Sequence, residues 1–258
     1  MKVVGIIPAR YESVRFPGKP LADIQGKPMI QHVYERCCRV PLFERVIVAT
    51  DDLRIQEAVS GFGGEVCMTL KTHRTGTDRL AEAARDLDAE IIVNVQGDEP
   101  LIQPEMIELA VQALLDDPDV VIGTLKHKIR TPEGLFNPNV VKVICDVNDR
   151  AVYFSRSPIP HIKGRDMRGE GFGGFEFYRH IGLYAYRRTF LLKFVDFAQT
   201  PLEIAEGLEQ LRAMEYGYRI KVLETAGEII GIDTPEDLER LRQLLNSRED
   251  GMGKTGCG

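Results

Sequence analysis

The chain lacks an apolar run long enough to cross a bilayer; its longest hydrophobic stretches are strand-sized. It also lacks the positive excess of a nucleic-acid binder. Its 33 lysines and arginines stand against 39 aspartates and glutamates, a net charge of −6. Cysteine is scarce. The five, at positions 37, 38, 67, 145 and 257, are odd in number and never spaced C-x-x-C. That usage argues against a disulfide framework or a zinc site and fits a reducing cytoplasm. Cys37 and Cys38 lie in a helix-like stretch and read as small core residues. Residues 1–7 turn polar too quickly to read as a secretory signal. Neither a G-x-x-x-x-G-K-[ST] loop nor a G-x-G-x-x-G loop follows the first hydrophobic run, which excludes a Walker A site and a dinucleotide oxidoreductase. No internal repeat is present.

What the chain does have is ordinary globular composition, with 43% hydrophobic and 28% charged residues over 258 positions. That length suffices for one large α/β domain, or a main domain with a small appendage. Strand-like runs at 3–7, 46–49, 65–69 and 91–95 alternate with helical periodicity at 29–39, 53–60 and 77–87. This alternation predicts a mostly parallel sheet with helices on both faces. Ligands bind outside the carboxyl ends of the strands in such sheets, which selects the loops at 8–20 and 96–104.

Past residue 104 the order loosens. Met106, Ile107, Ala110, Val111, Leu114 and Leu115 give an amphipathic helix. Strands are predicted at 120–126, 140–145, 181–186 and 219–224, and helices at 203–216 and 235–245. Residues 148–180 are rich in Gly, Pro, Arg and aromatics without periodicity and read as an excursion from the main sheet. With its approach it covers about 130–180, a dimerisation arm and part of a substrate wall. Thr234-Pro235-Glu236-Asp237 is a helix start, with Thr as N-cap and Pro at N1. Residues 1–246 therefore read as a single domain and 247–258 as a polar, Gly-rich, disordered tail.

The loop at 8–20 reads P-A-R-Y-E-S-V-R-F-P-G-K-P. It gathers Arg10, Arg15 and Lys19, with Ser13 and a flexible Gly18, at the end of a strand. A triphosphate needs several positive donors converging from different directions, and a wrapping loop supplies them; the bland alternative is a solvated basic loop. Residues 94–100, N-V-Q-G-D-E-P, end the most apolar strand in a turn with two carboxylates. Asp98 there suits a Mg²⁺ ligand in phosphoryl transfer or a plain Asx-turn. Asp233 stands at the end of a second strand-like run, 229–233, as a partner ligand or a cap-region residue. In 72–79, T-H-R-T-G-T-D-R, a helix N-terminus plus Arg79 suits phosphate or a pyrimidine edge, and the same residues serve as ordinary caps.

The run Ile-Pro-Ala-Arg-x-x-Ser-x-Arg-x-Pro-Gly-Lys-Pro-Leu at 7–21 resembles the opening signature of the CMP-sugar synthetases. These are cytidylyltransferases that activate 3-deoxy-D-manno-octulosonate (Kdo) and sialic acids. V-Q-G-D-E-P at 95–100 and G-I-D-T-P-E-D-L at 231–238 resemble the Kdo branch, and the likeness covers roughly residues 2–245. It implies a Rossmann-like, glycosyltransferase-A-like three-layer nucleotidyltransferase fold. It also implies CTP and Kdo as substrates, Mg²⁺ as cofactor, a cytoplasmic homodimer and a place in lipopolysaccharide assembly. By the same resemblance, Arg10, Ser13, Arg15 and Lys19 hold the CTP phosphates, with Lys19 steadying the leaving pyrophosphate. Thr72, His73, Thr75, Gly76, Arg79 and Gln96 complete the nucleotide site. Thr75 stands where Ser is more usual, a swap that keeps the hydroxyl. Asp98 and Asp233 ligate Mg²⁺, with Glu99 a neighbour and not a ligand.

Three further elements, 153–160, 179–184 and 206–212, resemble the Kdo branch more than the sialic-acid one. Through them the resemblance assigns Arg156 to the sugar's carboxylate. It assigns His180, Tyr184, Glu209, Gln210 and Gln96 to the hydroxyls. Read from the residues alone, Glu209 and Gln210 are solvated helix positions. The competing functions are a cytidylyltransferase for another sugar acid and a non-catalytic nucleotide-binding protein on the same scaffold. The latter would have lost Lys19, Asp98 or Asp233, and all three are present.

Overall fold

The computed structural model describes residues 1–13, 15–169, 171–227 and 230–252, with side chains up to residue 246. In chain order the first half contains β1 (Val3–Ala9), a 3-10 turn (Lys19–Leu21), a small hairpin of β2 (Asp23–Ile24) and β3 (Lys27–Pro28), and α1 (Met29–Cys37). Next come β4 (Phe43–Thr50), α2 (Leu53–Gly61), β5 (Glu65–Met68), α3 (Gly76–Ala84), β6 (Ile91–Asn94) and α4 (Pro104–Leu115). The second half adds β7 (Val120–Ile129), α5 (Pro132–Phe136), β8 (Lys142–Cys145), β9 (Ala151–Ser155) and β10 (Phe177–Arg187). The chain then runs through α6 (Arg188–Phe194), α7 (Pro201–Glu206), α8 (Gln210–Glu215), β11 (Arg219–Glu224) and α9 (Pro235–Met252).

Among the described residues the main sheet has nine strands, seven of them in the order β11-β7-β10-β6-β1-β4-β5. β1 runs parallel to both β4 and β6, β4 to β5, and β11 to β7. β10 alone in this path is antiparallel to its neighbours, β6 and β7. β8 and β9 extend the sheet sideways from β10 as an antiparallel pair. The mixed, mostly parallel sheet expected from the sequence is present.

Alternation along the strands builds two cores, one on each face of the sheet. Val3, Ile7 and Ala9 of β1 pack with Ile30 and Val33 of α1, Ile55 of α2 and Met106 and Ala110 of α4. Val4 and Ile6 point the other way, to Leu80 of α3, Phe190 and Phe194 of α6 and Leu211 of α8. Three layers result. A third, smaller cluster joins Ile24 and Met29 to Ile232, Leu238 and Leu241, which docks α9 beside the loop after β1.

Several boundaries differ from the sequence reading. The helix expected over 203–216 is two helices, broken where Gly207 takes the left-handed conformation at φ 62°. The strand-like run before Asp233 is irregular over 230–232, and residue 229 lies outside the described set. β10 begins at Phe177, inside the stretch read as aperiodic, and β9, α5 and α6 were not expected as elements. α9 continues to Met252, past the boundary drawn at 246, and residues 253–258 lie outside the described residues.

Gly123 lets α4 sit directly on β7: a Cβ there would lie 2.2 Å from the Ala110 carbonyl oxygen. Gly123→Ala should therefore destabilise the fold by about 3 kcal/mol, as overpacking against backbone does, lowering Tm by roughly 6–12 °C. Thermal denaturation followed by circular dichroism checks this.

Candidate active site

Parallel strands β1, β4, β5 and β6 all end on one edge of the sheet, so the loops that follow them share a cleft. The loop after β1 is closed by the Gly18 amide, which donates to the Tyr11 carbonyl at 2.8 Å. Gly18 holds φ 72°, and a Cβ there would press on the Tyr11 ring at 3.1 Å, so the turn needs glycine. That turn launches Lys19 into the cleft. The Arg54 guanidinium stacks 3.2 Å over the Tyr11 ring and fixes the outer flank of the loop.

The Lys19 ammonium donates to Asp98 Oδ2 at 2.6 Å and reaches Asp233 Oδ1 at 3.5 Å. Arg15 approaches the same Asp233 oxygen at 3.1 Å. Two aspartates 135 positions apart in the numbering thus converge on one cation. The backbone makes the convergence: the Ile232 amide donates to the Asp98 carbonyl at 2.9 Å. Asp233 itself is not the cap of α9. Thr234 Oγ1 accepts from the Asp237 amide at 3.3 Å, and Asp237 accepts from the Thr234 amide at 3.0 Å. That capping box leaves the Asp233 carboxylate facing the cleft.

Two carboxylates that already share a cation suit a hard divalent ion, which takes one or two carboxylates and completes its shell with phosphate oxygens and water. Asp98 and Asp233 therefore fit Mg²⁺. Glu99 does not join them. It is buried, one of its carboxyl oxygens has no hydrogen-bond partner, and burial followed by the charge of Asp98 pushes its pKa up to about 8. Glu99 therefore stands beside the cluster without touching Lys19.

A cavity of about 330 Å³ lies over this cluster, lined by Arg10, Ser13, Lys19, Gly76, Gln96 and Asp98 among others. A second, of about 160 Å³, adjoins it through the shared Arg10 and Glu12 and is lined also by Asp51, Lys71, His73 and Arg79. Arg10 donates to the Arg74 carbonyl at 3.3 Å, while its other terminal nitrogen is buried without a partner. Burial, and then repulsion from Arg79, lowers the Arg10 pKa, so an anion bridging the two guanidiniums would relieve both. Arg79 is fully buried, 3.0 Å from Asp51 Oδ2 and hydrogen-bonded to Thr69 Oγ1. It forms a wall of the smaller cavity.

The other sequence-derived nucleotide residues divide. Thr75 caps α3, accepting from the Asp78 amide at 3.1 Å, and so sets the helix N-terminus with Gly76 against the larger cavity. His73 is tied to Glu82 Oε2. Ser13 Oγ accepts from the Phe16 amide at 3.4 Å, within the loop. Thr72 is exposed and lines neither cavity. Asp51 and Lys71 were missed. Their neighbour Asp52 caps α2, accepting from the Arg54 amide at 2.9 Å.

A third cavity, of about 320 Å³, opens along the N-terminal half of β10, lined by Asn139, Arg179, His180, Gly182, Tyr184 and Gln210 among others. Gln96 joins it to the first: it lines the cavity over Lys19 and Asp98 and donates to the Gly182 carbonyl at 3.3 Å. The Thr124 hydroxyl anchors this corner. It lies within reach of the Ile181 and Leu183 carbonyls, at 3.0 and 2.8 Å, and of His180 Nε2 at 2.9 Å. The single hydroxyl proton belongs to a carbonyl, so the ring donates from Nε2 and keeps Nδ1 as an acceptor. Burial pushes His180 down to about 3, and the imidazole is neutral.

Gln210 Oε1 accepts from the Tyr184 hydroxyl at 3.3 Å, and its Nε2 is buried without a partner. Glu209 accepts from the Thr77 hydroxyl, and burial raises its pKa. The reading of Glu209 and Gln210 as solvated helix positions is thereby corrected: Gln210 is buried, and Glu209 has a buried neighbour across the cleft. Arg156 stands apart. Its Nε donates to the Glu206 carbonyl at 2.7 Å, and its two terminal nitrogens to the Pro138 and Gly207 carbonyls at 3.1 and 3.4 Å. It is not among the residues lining the third cavity.

This geometry has relatives. Residues 4–222 match the family described as Cytidylyltransferase. The 3-deoxy-manno-octulosonate cytidylyltransferase of Geobacter sulfurreducens is 57% identical over 249 residues, covering 95% of this chain and all of that one. The enzyme of the same name from Pelobacter propionicus is 58% identical, covering 96% and 98%. The solved structure of CMP:2-keto-3-deoxy-manno-octonic acid synthetase complexed with CTP superposes with a TM-score of 0.89 at 44% identity, covering 96% of this chain and all of that one. A cytidylyltransferase structure from Leptospira borgpetersenii, 19% identical with a TM-score of 0.61 over 96% of this chain and 87% of that one, shares the fold. By these matches, which run over nearly its whole length, the chain belongs to the 3-deoxy-manno-octulosonate cytidylyltransferases within the cytidylyltransferase family.

Proposed function

We propose that this chain transfers CMP from CTP to the anomeric hydroxyl of 3-deoxy-D-manno-octulosonate, releasing pyrophosphate and supplying an activated sugar acid for lipopolysaccharide assembly. The observation that carries the reading is the convergence of Asp98, Asp233 and Lys19 beside a cavity that Gln96 couples to a second one. The relatives named for this activity support the assignment over their full length.

In this reading CTP lies along the loop after β1, with its phosphates between Arg10, Arg15, Lys19 and the N-terminus of α3, where backbone amides favour negative charge. Lys19 neutralises charge as pyrophosphate departs. Asp98 and Asp233 hold Mg²⁺, which when bound offsets phosphate charge and favours in-line displacement at the α-phosphorus. The sugar acid occupies the cavity along β10. His180 Nδ1 accepts from a hydroxyl, and Tyr184, Gln210 and Gln96 orient the ring, with Glu209 behind them. No protein nucleophile is needed: holding the anomeric hydroxyl in line with the α-phosphorus supplies the rate. We also propose a homodimer through the excursion at about 130–180, where the apolar side chains Val147, Val152 and Phe175 are exposed. A cytoplasmic setting follows from the use of CTP. No helix among the described residues is long and apolar enough to cross a membrane.

Incubating the purified chain with CTP, Mg²⁺ and the sugar acid should release pyrophosphate and form the CMP-sugar. N-acetylneuraminate should serve at least about 100-fold less well in kcat/KM, because buried polar groups left unpaired reject the wrong acceptor. Equal use of both acids would refute the assignment. Asp98→Asn should lower kcat by at least about 100-fold with Tm held within about 3 °C; near-normal turnover would remove Asp98 from the chemistry. Thr124→Val, which keeps shape and deletes the hydroxyl, should raise KM for the sugar acid about tenfold and leave KM for CTP within about twofold. Thr124→Ser should restore it.

A further inference from the structure

A threonine or an acid at the start of a helix ordinarily turns back to cap its own backbone. Thr77 and Glu209 do not. Resting on the transfer reading above, we propose that Thr77 and Arg212 are positioning residues for the acceptor step, holding the Glu209 carboxylate between them across the gap from α3 to α8.

α3 is capped without Thr77. The Asp78 amide donates to Thr75 Oγ1 at 3.1 Å and the Thr75 amide to Asp78 Oδ2 at 2.9 Å, which completes the capping box. The buried Thr77 hydroxyl is thereby released from its own helix, and it donates to Glu209 Oε2. Glu209 directly precedes α8, and its side chain makes no capping bond there. Each partner stands next to a cavity wall. Gly76, beside Thr77, lines the cavity over Lys19 and Asp98, while Leu208 and Gln210, on either side of Glu209, line the one along β10. The contact spans the two cavities one residue back from each.

Arg212 holds the other side of the same carboxylate. Its Nε donates to Glu203 Oε2 at 2.7 Å and one terminal nitrogen donates to Glu203 Oε1, a two-pronged pair buried on both sides. Glu203 is fixed in turn by the start of α7, where it accepts from the Thr200 amide at 3.3 Å. The guanidinium also lies 4.9 Å over the Phe194 ring. From this fixed base the same terminal nitrogen reaches Glu209 Oε1 at 3.5 Å. A planar fork can serve both acids at once, and an ammonium cannot. Burial raises the Glu209 pKa, and the Thr77 hydrogen bond and then Arg212 oppose that, so both favour the charged carboxylate. Its side chain keeps 27% exposure, through which the remaining lone pairs can accept from a ligand hydroxyl. A carboxylate held from two sides needs no ordering when the acid arrives; a loose one would, at a cost read in the acid's KM and not in that of CTP.

A double-variant kinetic cycle tests this. Thr77→Val should raise KM for the sugar acid about tenfold, with KM for CTP within about twofold and Tm within about 3 °C. Thr77→Ser should return the acid's KM to within about twofold of wild type. Arg212→Gln should give a similar rise, with a lower Tm because Glu203 is left buried and unpaired. The double variant should stay near tenfold, since residues acting through one carboxylate are not additive, whereas a purely structural Arg212 would multiply the effects to about 100-fold. Where Arg212→Gln is too unstable to assay, Arg212→Lys, which keeps the charge and loses the fork, takes its place in the cycle. An unchanged KM for the acid in Thr77→Val, an equal rise for CTP, or a multiplicative double variant overturns the proposal. A wild-type chain that cannot turn over the acid with CTP sinks the transfer reading, and the acceptor step with it; wild-type turnover with Thr77→Val unaffected sinks this proposal alone.

Discussion

An ammonium held between two carboxylates organises this molecule's working edge. Lys19 comes from the loop after β1, Asp98 from the turn after β6 and Asp233 from the approach to α9, so one cation joins three distant segments. Lys19 is only 15% exposed, and opposite charges attract more strongly there than on an open surface. Lys19 keeps a carboxylate partner when either aspartate is replaced, and both aspartates stay partly exposed, so the trio positions these segments without carrying the stability of the fold. The small cluster of Ile24, Met29, Ile232 and Leu238 behind it keeps α9 in register, so that Asp233 arrives where Asp98 already is. The sheet makes this possible: β1 and β6 are adjacent and parallel, and their ends are necessarily neighbours.

Much of the nucleotide side was legible before any coordinates, because its signals are local. Strand runs end in Pro8 and in Gly97-Asp98, and a parallel sheet assigns such ends to ligands. The link between Asp98 and Asp233 was readable only as a coincidence of two similar strand–Asp endings, and the second ending proved irregular over 230–232. What fixes that pair is a single backbone hydrogen bond from Ile232, and no sequence pattern announces one.

The acceptor side was harder, for a physical reason. β10 is sandwiched between β6 and β7, yet its first half faces a cavity, so Arg179, His180 and Tyr184 interrupt the apolar alternation that marks a strand. The helical stretch over 203–216 hid a break because Gly207 is one residue in an otherwise continuous pattern. Thr124 escaped notice because an isolated threonine in a strand is ordinary. Only the irregular register between Ile181 and Tyr184 gives its hydroxyl two carbonyls and a ring nitrogen to hold. Arg156, assigned from its motif, has its guanidinium on three main-chain carbonyls, contacts that no sequence pattern announces.

The antiparallel direction of β10 separates two inheritances. The cleft over Lys19 and Asp98 lies at strand endings that point one way, and the cavity along β10 lies at the beginning of a strand that points the other way. In the proposed transfer, substitutions near positions 179–184 would change the acceptor cavity and leave the loop after β1 untouched. A scaffold wired like this can diversify its products without re-inventing its chemistry, and the Gln96–Gly182 and Thr77–Glu209 contacts are places where the two regions still meet.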